Sequence, residues 1–269
     1  MRKYWLAVVL MIAALPVMAK PVKSPTVFSG TKAYCYFNEK TLTWRIGNDV
    51  QERTVHFERA TGSLRTVTIK AFHTSAAVSS DVEGVLLLNG DRKVTLDSDW
   101  SYSWQSVATP ENLGRKLTIH MQGVNTHKGM EVEVIYETLP GNRPYLNKQI
   151  AFINRTGAPM KVEEVTIENL TLQIGTGNKA LKPVTTAFST ILPVGSGLTF
   201  SPYNTGIGLL MQDKSGIVKS KGKQITSATK PAAELAGDGG RYLSPVSTSF
   251  LYTGGTADGG ALINRYSGK

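Results

Sequence analysis

The most aromatic stretch of the sequence, 97–104, carries three rings at alternate positions: Trp100, Tyr102 and Trp104, with Asp99 beside them. Trp and Tyr rings present flat apolar faces and polar edges, which suits stacking against a sugar ring. We therefore predict a carbohydrate-binding platform at Trp100, Tyr102, Trp104 and Asp99. The same alternation would place all three rings on one face of a β-strand, so packing into a core is the competing interpretation.

Carboxylate pairs are the second candidate for sugar chemistry, because glycoside cleavage uses two of them. Glu131, Glu133 and Glu137 alternate along one predicted strand, a pattern typical of its solvent-facing side. No pair can be assigned as acid and base, so we predict no catalytic residue.

Metal binding is not expected. The histidines lie on separate predicted strands or loops and show no paired ligand spacing: His56, His73, His120 and His127. The single cysteine, Cys35, leaves few other ligands and excludes an intramolecular disulfide. No nucleophile elbow, phosphate-binding loop or dinucleotide fingerprint occurs, so we expect no cofactor.

The basic charge of the chain does not indicate a nucleic-acid partner. Thirty Lys and Arg face 20 Asp and Glu, which gives a net charge of +10. One cluster collects four lysines, Lys214, Lys219, Lys221 and Lys223, but no aromatic residue is interleaved with them. Such a run is typical of a solvated hairpin.

The first 19 residues have the features of a secretory signal peptide. Arg2 and Lys3 precede an apolar run that ends in small residues before Lys20, and the run is too short for a comfortable membrane span. We predict cleavage after Ala19, a flexible lead-in over 20–32, and export to a bacterial periplasm or exterior without a membrane span. Loss of Arg2 and Lys3 leaves 28 basic and 20 acidic residues, a net charge of +8.

Short apolar alternations separated by Gly, Pro and Asn recur along the whole mature chain. The clearest set runs from Glu131 to Leu170, where three strands are separated by two tight turns. The pattern predicts an all-β domain over 33–269, a large two-sheet antiparallel β-sandwich. One turn of helix is predicted at Pro231–Leu235, and the glycine clusters at 237–240 and 254–260 are predicted to be loops.

The turns of this chain resemble those of a known family. The phrases are Tyr-Glu at 136–137, Leu-Pro-Gly-x-Arg-Pro-Tyr-Leu-x-Lys at 139–148, Phe-Ile-Asn-Arg-Thr-Gly-Ala-Pro at 152–159, Leu-Leu-Leu-Asn-Gly at 86–90, Asn-Thr-Gly-Ile-Gly-Leu at 204–209, Leu-Ser-Pro at 243–245 and Ser-Phe-Leu-Tyr at 249–252. Together they resemble the N-terminal β-supersandwich domain of TIM-barrel α-galactosidases and related glycoside hydrolases, a galactose-mutarotase-like superfold. The resemblance covers about Ala33 to Tyr266.

The resemblance implies an accessory domain rather than a complete enzyme. In that family the catalytic barrel, with its two aspartates, would begin after Tyr266, where three residues remain. We therefore expect an exported, non-catalytic, carbohydrate-associated protein, either stand-alone or truncated. Its partner would be a carbohydrate or a separately encoded glycosidase catalytic chain.

Two other functions remain open. Mutarotases share the superfold and use His with Glu as general acid and base, so His120 or His127 with a nearby Glu could serve an aldose epimerase. A structural β protein of the cell envelope is the third possibility. The sequence does not indicate the sugar or the oligomeric state.

Overall fold

The computed structural model describes residues 33–72, 77–80, 82–173, 182–186, 196–200, 205–213, 216–254 and 256–266. The predicted signal peptide, the lead-in, His73 and Lys214 lie outside the described residues. Twenty strands and one α-helix form in the described ranges. None of the described helices is long and apolar enough to cross a bilayer.

In chain order the strands are β1 (Tyr34–Asn38), β2 (Thr43–Gly47), β3 (Gln51–Glu58), β4 (Ser63–Ala71), β5 (Ala77–Ser79), β6 (Val85–Leu88), β7 (Arg92–Thr95), β8 (Trp100–Ala108), β9 (Arg115–Gly123), β10 (Met130–Thr138), β11 (Leu146–Asn154), β12 (Met160–Gln173), β13 (Lys182–Thr186), β14 (Ser196–Phe200), β15 (Thr205–Met211), β16 (Ile217–Lys221), β17 (Gln224–Thr229), β18 (Ala233–Leu235), β19 (Gly240–Leu243) and β20 (Ser247–Thr253). The helix is α1 (Thr256–Tyr266).

Two antiparallel sheets contain all of these strands. Sheet A has 11 strands in the order β1-β2-β3-β4-β5-β12-β17-β16, with β6 and β18 also paired to β12 and β7 paired to β6. Sheet B has nine strands in the order β13-β14-β15-β20-β11-β10-β9-β8, with β19 also paired to β11. The predicted all-β, two-sheet antiparallel sandwich is therefore confirmed.

The main hydrophobic core lies between the sheets. Alternate residues of sheet A strands, such as Trp44 and Leu86, are buried there with alternate residues of sheet B strands, such as Ile119, Val134 and Phe152. Period-two burial is the reason that these sequences form half-buried strands. On β9, β10 and β11 the intervening residues face away from the core, and this outer face of sheet B carries the candidate site.

The stretch Glu131–Leu170 forms three strands, as the pattern predicts, but they do not form a three-stranded meander. Strands β10 and β11 pair as a hairpin in sheet B, with Val134 opposite Ile150. The next turn carries the chain into sheet A, where β12 pairs with β17. Alternation alone does not distinguish these arrangements, because a strand has the same period in either sheet.

Two local predictions are wrong. The predicted helical turn at Pro231–Leu235 contains β18, whose residues 233–235 pair with 160–162 of β12. The glycine-rich segment after β20, predicted as a loop, contains α1. The helix is stabilised by packing, since Ile263 is buried against Tyr145, Phe250 and Tyr252 on the outer face of sheet B.

Candidate functional site

A β-bulge in β8 determines where the aromatic side chains point. Trp100 pairs with Gly123 and Tyr102 with Met121, but Trp104 pairs with His120 because Ser103 is an extra residue in the ladder. A residue after the bulge therefore points to the opposite face of the sheet from the one that regular alternation predicts. The prediction that all three rings share one face is wrong at Trp104.

Trp100 and Tyr102 face the core side of sheet B. Trp100 is only 2% exposed, and its Nε1 donates a hydrogen bond to the carbonyl oxygen of Thr95 at 2.8 Å. Tyr102 is partly buried, and its ring lies 5.6 Å from that of Trp44 and 6.2 Å from that of Phe57. Both rings are therefore packed against the core.

Asp99 holds a turn. Its backbone has a positive φ of 63°. Its carboxylate accepts hydrogen bonds from Nδ2 of Asn125 at 3.0 Å and from Oγ1 of Thr126 at 2.6 Å. These hydrogen bonds lower the pKa of Asp99. The carboxylate thus fixes the loop that follows β9.

Trp104 has a different environment on the outer face. It is 43% exposed, and its indole stacks on the imidazole of His120, with centroids 4.8 Å apart and planes 6° from parallel. The stack holds the indole in a defined orientation while much of its surface remains open to solvent. A flat, exposed and oriented indole is a suitable surface for the apolar face of a sugar.

Charged side chains surround this stack. His120 Nε2 lies 3.3 Å from Glu131 Oε2, and Glu131 Oε1 accepts a hydrogen bond from Arg155 Nε at 2.8 Å. Glu133 Oε2 accepts a hydrogen bond from an Arg241 guanidinium nitrogen at 2.8 Å. We call Trp104, His120, Glu131, Glu133, Arg155 and Arg241 the outer-face cluster.

Backbone pairing places part of the outer-face cluster in one row across five adjacent strands. Trp104 lies opposite His120, His120 opposite Glu133, Glu133 opposite Ala151, and Ala151 opposite Leu243. Strand spacing makes this row about 19 Å long. It has an exposed apolar side chain at each end and polar groups next to the tryptophan, a layout suited to an elongated polyhydroxylated ligand.

The sequence pattern predicted part of the outer-face cluster. It singled out Trp104, the alternating Glu131 and Glu133, and His120 as half of a possible His–Glu pair, which the structure brings together. It missed Arg155 and Arg241, and for Arg241 the partner is 108 residues distant in sequence. The sequence offered one general signal for these Arg–Glu pairs: the chain has more basic than acidic residues, and one strand carries alternating glutamates that could pair with them.

The alternative histidine, His127, lies elsewhere. It is buried, its ring packs 5.1 Å from that of Trp100, and burial lowers its pKa. Among charged groups, Asp99 has the largest effect on this pKa, which it raises. Of these two histidines, His120 is therefore the one that contacts a glutamate, as a general acid–base pair would.

A second group of charges is fully enclosed between the sheets. We call Arg53, Glu83, Lys148 and Glu168 the buried charge cluster, and all four side chains are inaccessible to solvent. Arg53 forms hydrogen bonds to both oxygens of Glu168 at 2.7 and 2.8 Å, and Lys148 Nζ lies 2.8 Å from Glu83 Oε1. With no solvent access, this cluster connects the sheets rather than contacting a ligand.

Neither cluster forms a metal centre. Among the residues that the structure describes, no group of three or more His, Cys, Asp or Glu side chains could hold a metal ion. In the outer-face cluster, each carboxylate already accepts a hydrogen bond from an arginine. The chemistry available there is aromatic stacking, hydrogen bonding and proton exchange between His120 and Glu131.

No protein-family model matches the sequence, and no curated protein sequence matches it. Several solved structures match its fold. An α-galactosidase from Lactobacillus brevis superposes with a TM-score of 0.56 and 9% identity, over 86% of this chain and 42% of that chain. A putative aldose 1-epimerase from Klebsiella pneumoniae gives 0.54 and 9% identity, over 87% and 85%. A TPR-domain containing protein from Parabacteroides distasonis gives 0.53 and 11%, over 78% and 47%.

The chain spans less than half the length of the α-galactosidase that it matches and most of the length of the putative epimerase. At these identities the likeness establishes the fold, and proteins of that fold carry different names and functions. The resemblance drawn from the turns is confirmed at this level: the chain has the β-supersandwich fold that it shares with α-galactosidases and a putative aldose 1-epimerase.

Proposed function

We propose that this protein is an exported, non-catalytic, carbohydrate-associated β-sandwich that binds sugar at the outer-face cluster. Its role would be equivalent to that of the accessory N-terminal domain of an α-galactosidase-type glycoside hydrolase. The observation that carries the proposal is the exposed indole of Trp104, held parallel to His120 beside two glutamates and two arginines. The shared fold with an α-galactosidase supports it.

The chemistry of the site favours a neutral ligand. The two arginines of the outer-face cluster are each paired with a glutamate, at 2.8 Å in both cases, so their charges are balanced locally. Sugar hydroxyl groups can donate to the carboxylates and accept from the guanidinium groups, while the apolar ring face stacks on Trp104. The row toward Leu243 gives room for more than one sugar unit.

A glycan array of neutral gluco- and galacto-oligosaccharides tests this assignment. We expect Trp104→Ala to weaken binding about tenfold or more, a loss of about 1.4 kcal/mol. Val107→Ala is the matched control, because Val107 is 47% exposed on the same strand but lies opposite Leu117, on the other face. Unchanged binding by Trp104→Ala, or an equal loss in both variants, would reject the site.

A catalytic chain is the proposed partner. The α-galactosidase match extends over only 42% of that enzyme, so this chain corresponds to one part of it. We expect the purified chain to hydrolyse no α-galactoside alone and to co-purify with a glycosidase chain from its own source. Hydrolysis by the isolated chain would contradict the non-catalytic proposal.

Export is proposed from residues 1–19. N-terminal sequencing of protein from the extracytoplasmic fraction is expected to begin at Lys20. An intact Met1, or recovery from the cytoplasm alone, would contradict it.

Aldose epimerisation is the second candidate function. The 3.3 Å contact between His120 Nε2 and Glu131 Oε2 favours it, because a His–Glu pair can exchange a proton with a sugar hydroxyl. Polarimetry on fresh α-glucose and α-galactose tests it, with His120→Asn against His127→Asn as the matched pair. Epimerisation requires a rate above buffer that the first substitution abolishes and the second preserves. A rate equal to that of buffer removes this candidate.

A further inference from the structure

Strand β8 is the last strand of sheet B in the part of the chain that the structure describes. It pairs with β9 from Trp100 to Ala108, and no strand in the described ranges pairs with its other edge. Six of its nine residues are exposed. Its outer edge therefore presents backbone N–H and C=O groups on which another strand could form a ladder.

Composition and length together set this edge apart from the other sheet edges. From Trp100 to Thr109 the sequence has no charged residue and no proline. The edge strand β16 contains Lys219 and Lys221, and the edge strand β13 contains Lys182 and Pro183. Edge lysines, prolines and β-bulges discourage strand addition, and β8 has only the bulge at Ser103, after which regular pairing continues from Trp104 to Ala108. Strands β7, β18 and β19, each paired with one strand, carry Arg92, Glu234 and Arg241. The edge strand β1 is also uncharged, but it is only five residues long.

We propose that the outer edge of β8 pairs antiparallel with β8 of a second copy of this chain. An antiparallel edge pair is related by a two-fold axis, the commonest symmetry of soluble dimers. When β8 pairs with β8 of the second copy, identical residues lie near one another across the axis. Like charges at such positions would repel and destabilise the pair, but β8 carries no charged residue. The absence of charge therefore favours a second copy over a partner selected by charge.

This pairing would join the two B sheets into one continuous sheet. A two-fold axis perpendicular to a sheet keeps corresponding faces on the same side. The side chain of Trp104, which lies near the middle of β8, would therefore meet its counterpart on one shared outer face. The association itself is independent of sugar binding, and any ligand that spans both copies would gain from two linked sites.

Sedimentation equilibrium on the full mature chain tests the proposal between about 1 µM and 1 mM, a range that covers weak interfaces. The buffer should hold about 0.15 M salt, where the Debye length of about 8 Å limits repulsion between two basic chains. We expect the mass to rise with concentration toward twice the monomer mass. Hydrogen exchange of the amides in Trp100–Ala108 should slow over the same range.

The matched variants are Ser106→Lys on β8 and Ser220→Lys on β16, which add the same charge to different edges. Ser106→Lys is expected to raise the dimer dissociation constant about tenfold or more, and Ser220→Lys to leave it unchanged. Circular dichroism confirms that each variant is folded. A monomer at all concentrations, association without protection of the β8 amides, or equal effects of the two variants would overturn the proposal.

Discussion

At the scale of single residues, Trp100 and Trp104 have different roles although they lie four positions apart on β8. Trp100 packs in the core and satisfies its indole N–H with the carbonyl oxygen of Thr95. Trp104 stacks on His120 at the surface. The extra residue Ser103 separates these environments, because the residue after it pairs one position out of step with regular alternation. Stability therefore depends on Trp100, whereas Trp104 is the residue on which the proposed sugar binding depends.

This difference can be measured by urea denaturation. Trp100→Ala leaves a cavity in a closed core, so it should lower the free energy of unfolding by about 3–5 kcal/mol. Trp104→Ala removes a partly exposed stacking pair and should cost about 1 kcal/mol. Equal losses in the two variants would show that both rings are packed to the same extent.

At the scale of elements, helix α1 packs on an aromatic surface of sheet B that depends on two glycines. In β15, Gly206 and Gly208 lie opposite Tyr252 and Phe250 of β20. A Cβ atom on Gly208 would lie 2.0 Å from Phe250 Cζ, and one on Gly206 would lie 2.1 Å from Tyr252 Cζ. The two rings therefore lie directly over the glycine backbone, where they form the surface against which Ile263 of α1 is buried.

Alanine at two glycines gives opposite effects on stability. Gly208→Ala must displace the Phe250 ring, so it should lower the free energy of unfolding by about 1–3 kcal/mol. Gly260→Ala, inside α1, places its new Cβ more than 4 Å from every atom outside the neighbouring residues and the helix's own backbone, and it should raise the free energy of unfolding by about 0.5–1 kcal/mol. Thermal unfolding with circular dichroism measures both. Stabilisation by Gly208→Ala would contradict the proposed packing.

The strands and the helix differ in how far the sequence pattern predicts them. Alternation located β10, β11 and β12, because period-two burial is a property of each strand by itself. It could not assign β12 to sheet A, because that depends on the path of the turn at 155–159 and on pairing with a distant strand. Helix α1 was missed because Gly259 and Gly260 weaken its local signal, and burial of Ile263 against the sheet supplies the stabilisation.

The candidate site was predictable to a similar extent. The residue types for stacking and hydrogen bonding were visible in Trp104, Glu131 and Glu133. The bulge at Ser103 gives no clear signal in the sequence, since serine is common in regular strands. The contact between Arg241 and Glu133 depends on β19 pairing with β11, a long-range feature that local pattern does not determine.

At the scale of the whole molecule, the buried charge cluster connects the two sheets. Arg53 on β3 and Glu168 on β12 belong to sheet A, Lys148 on β11 belongs to sheet B, and Glu83 lies in the segment before β6. Two cations and two anions balance one another. Tyr136 of sheet B also donates a hydrogen bond to Glu83 Oε1 at 2.6 Å. Loss of one member would leave a buried charge without compensation, which typically costs about 3–5 kcal/mol.

Acid should therefore weaken the contact between the sheets through Glu83. Burial by itself raises the pKa of this carboxyl, but the charges of Lys148 and Arg53 outweigh burial and hold the pKa well below its usual range. Because the folded pKa is below the unfolded value of about 4.3, the stabilisation is present above that pH. It is lost as pH falls through about 4 toward the folded pKa, since the unfolded chain takes up the proton first.

Urea midpoints measured from pH 7 to pH 3 test this linkage in the wild type, in Glu83→Gln and in the surface control Glu133→Gln. Glu83→Gln should be less stable at pH 7 by about 3–5 kcal/mol, and it should lose less stability on acidification because no proton binds at position 83 in the unfolded chain. Glu133 is only partly buried and pairs with an exposed arginine, so Glu133→Gln should follow the wild-type acid profile closely. If Glu83→Gln lost as much stability as the wild type between pH 5 and pH 3, the electrostatic contact between the sheets would not be what acid disrupts.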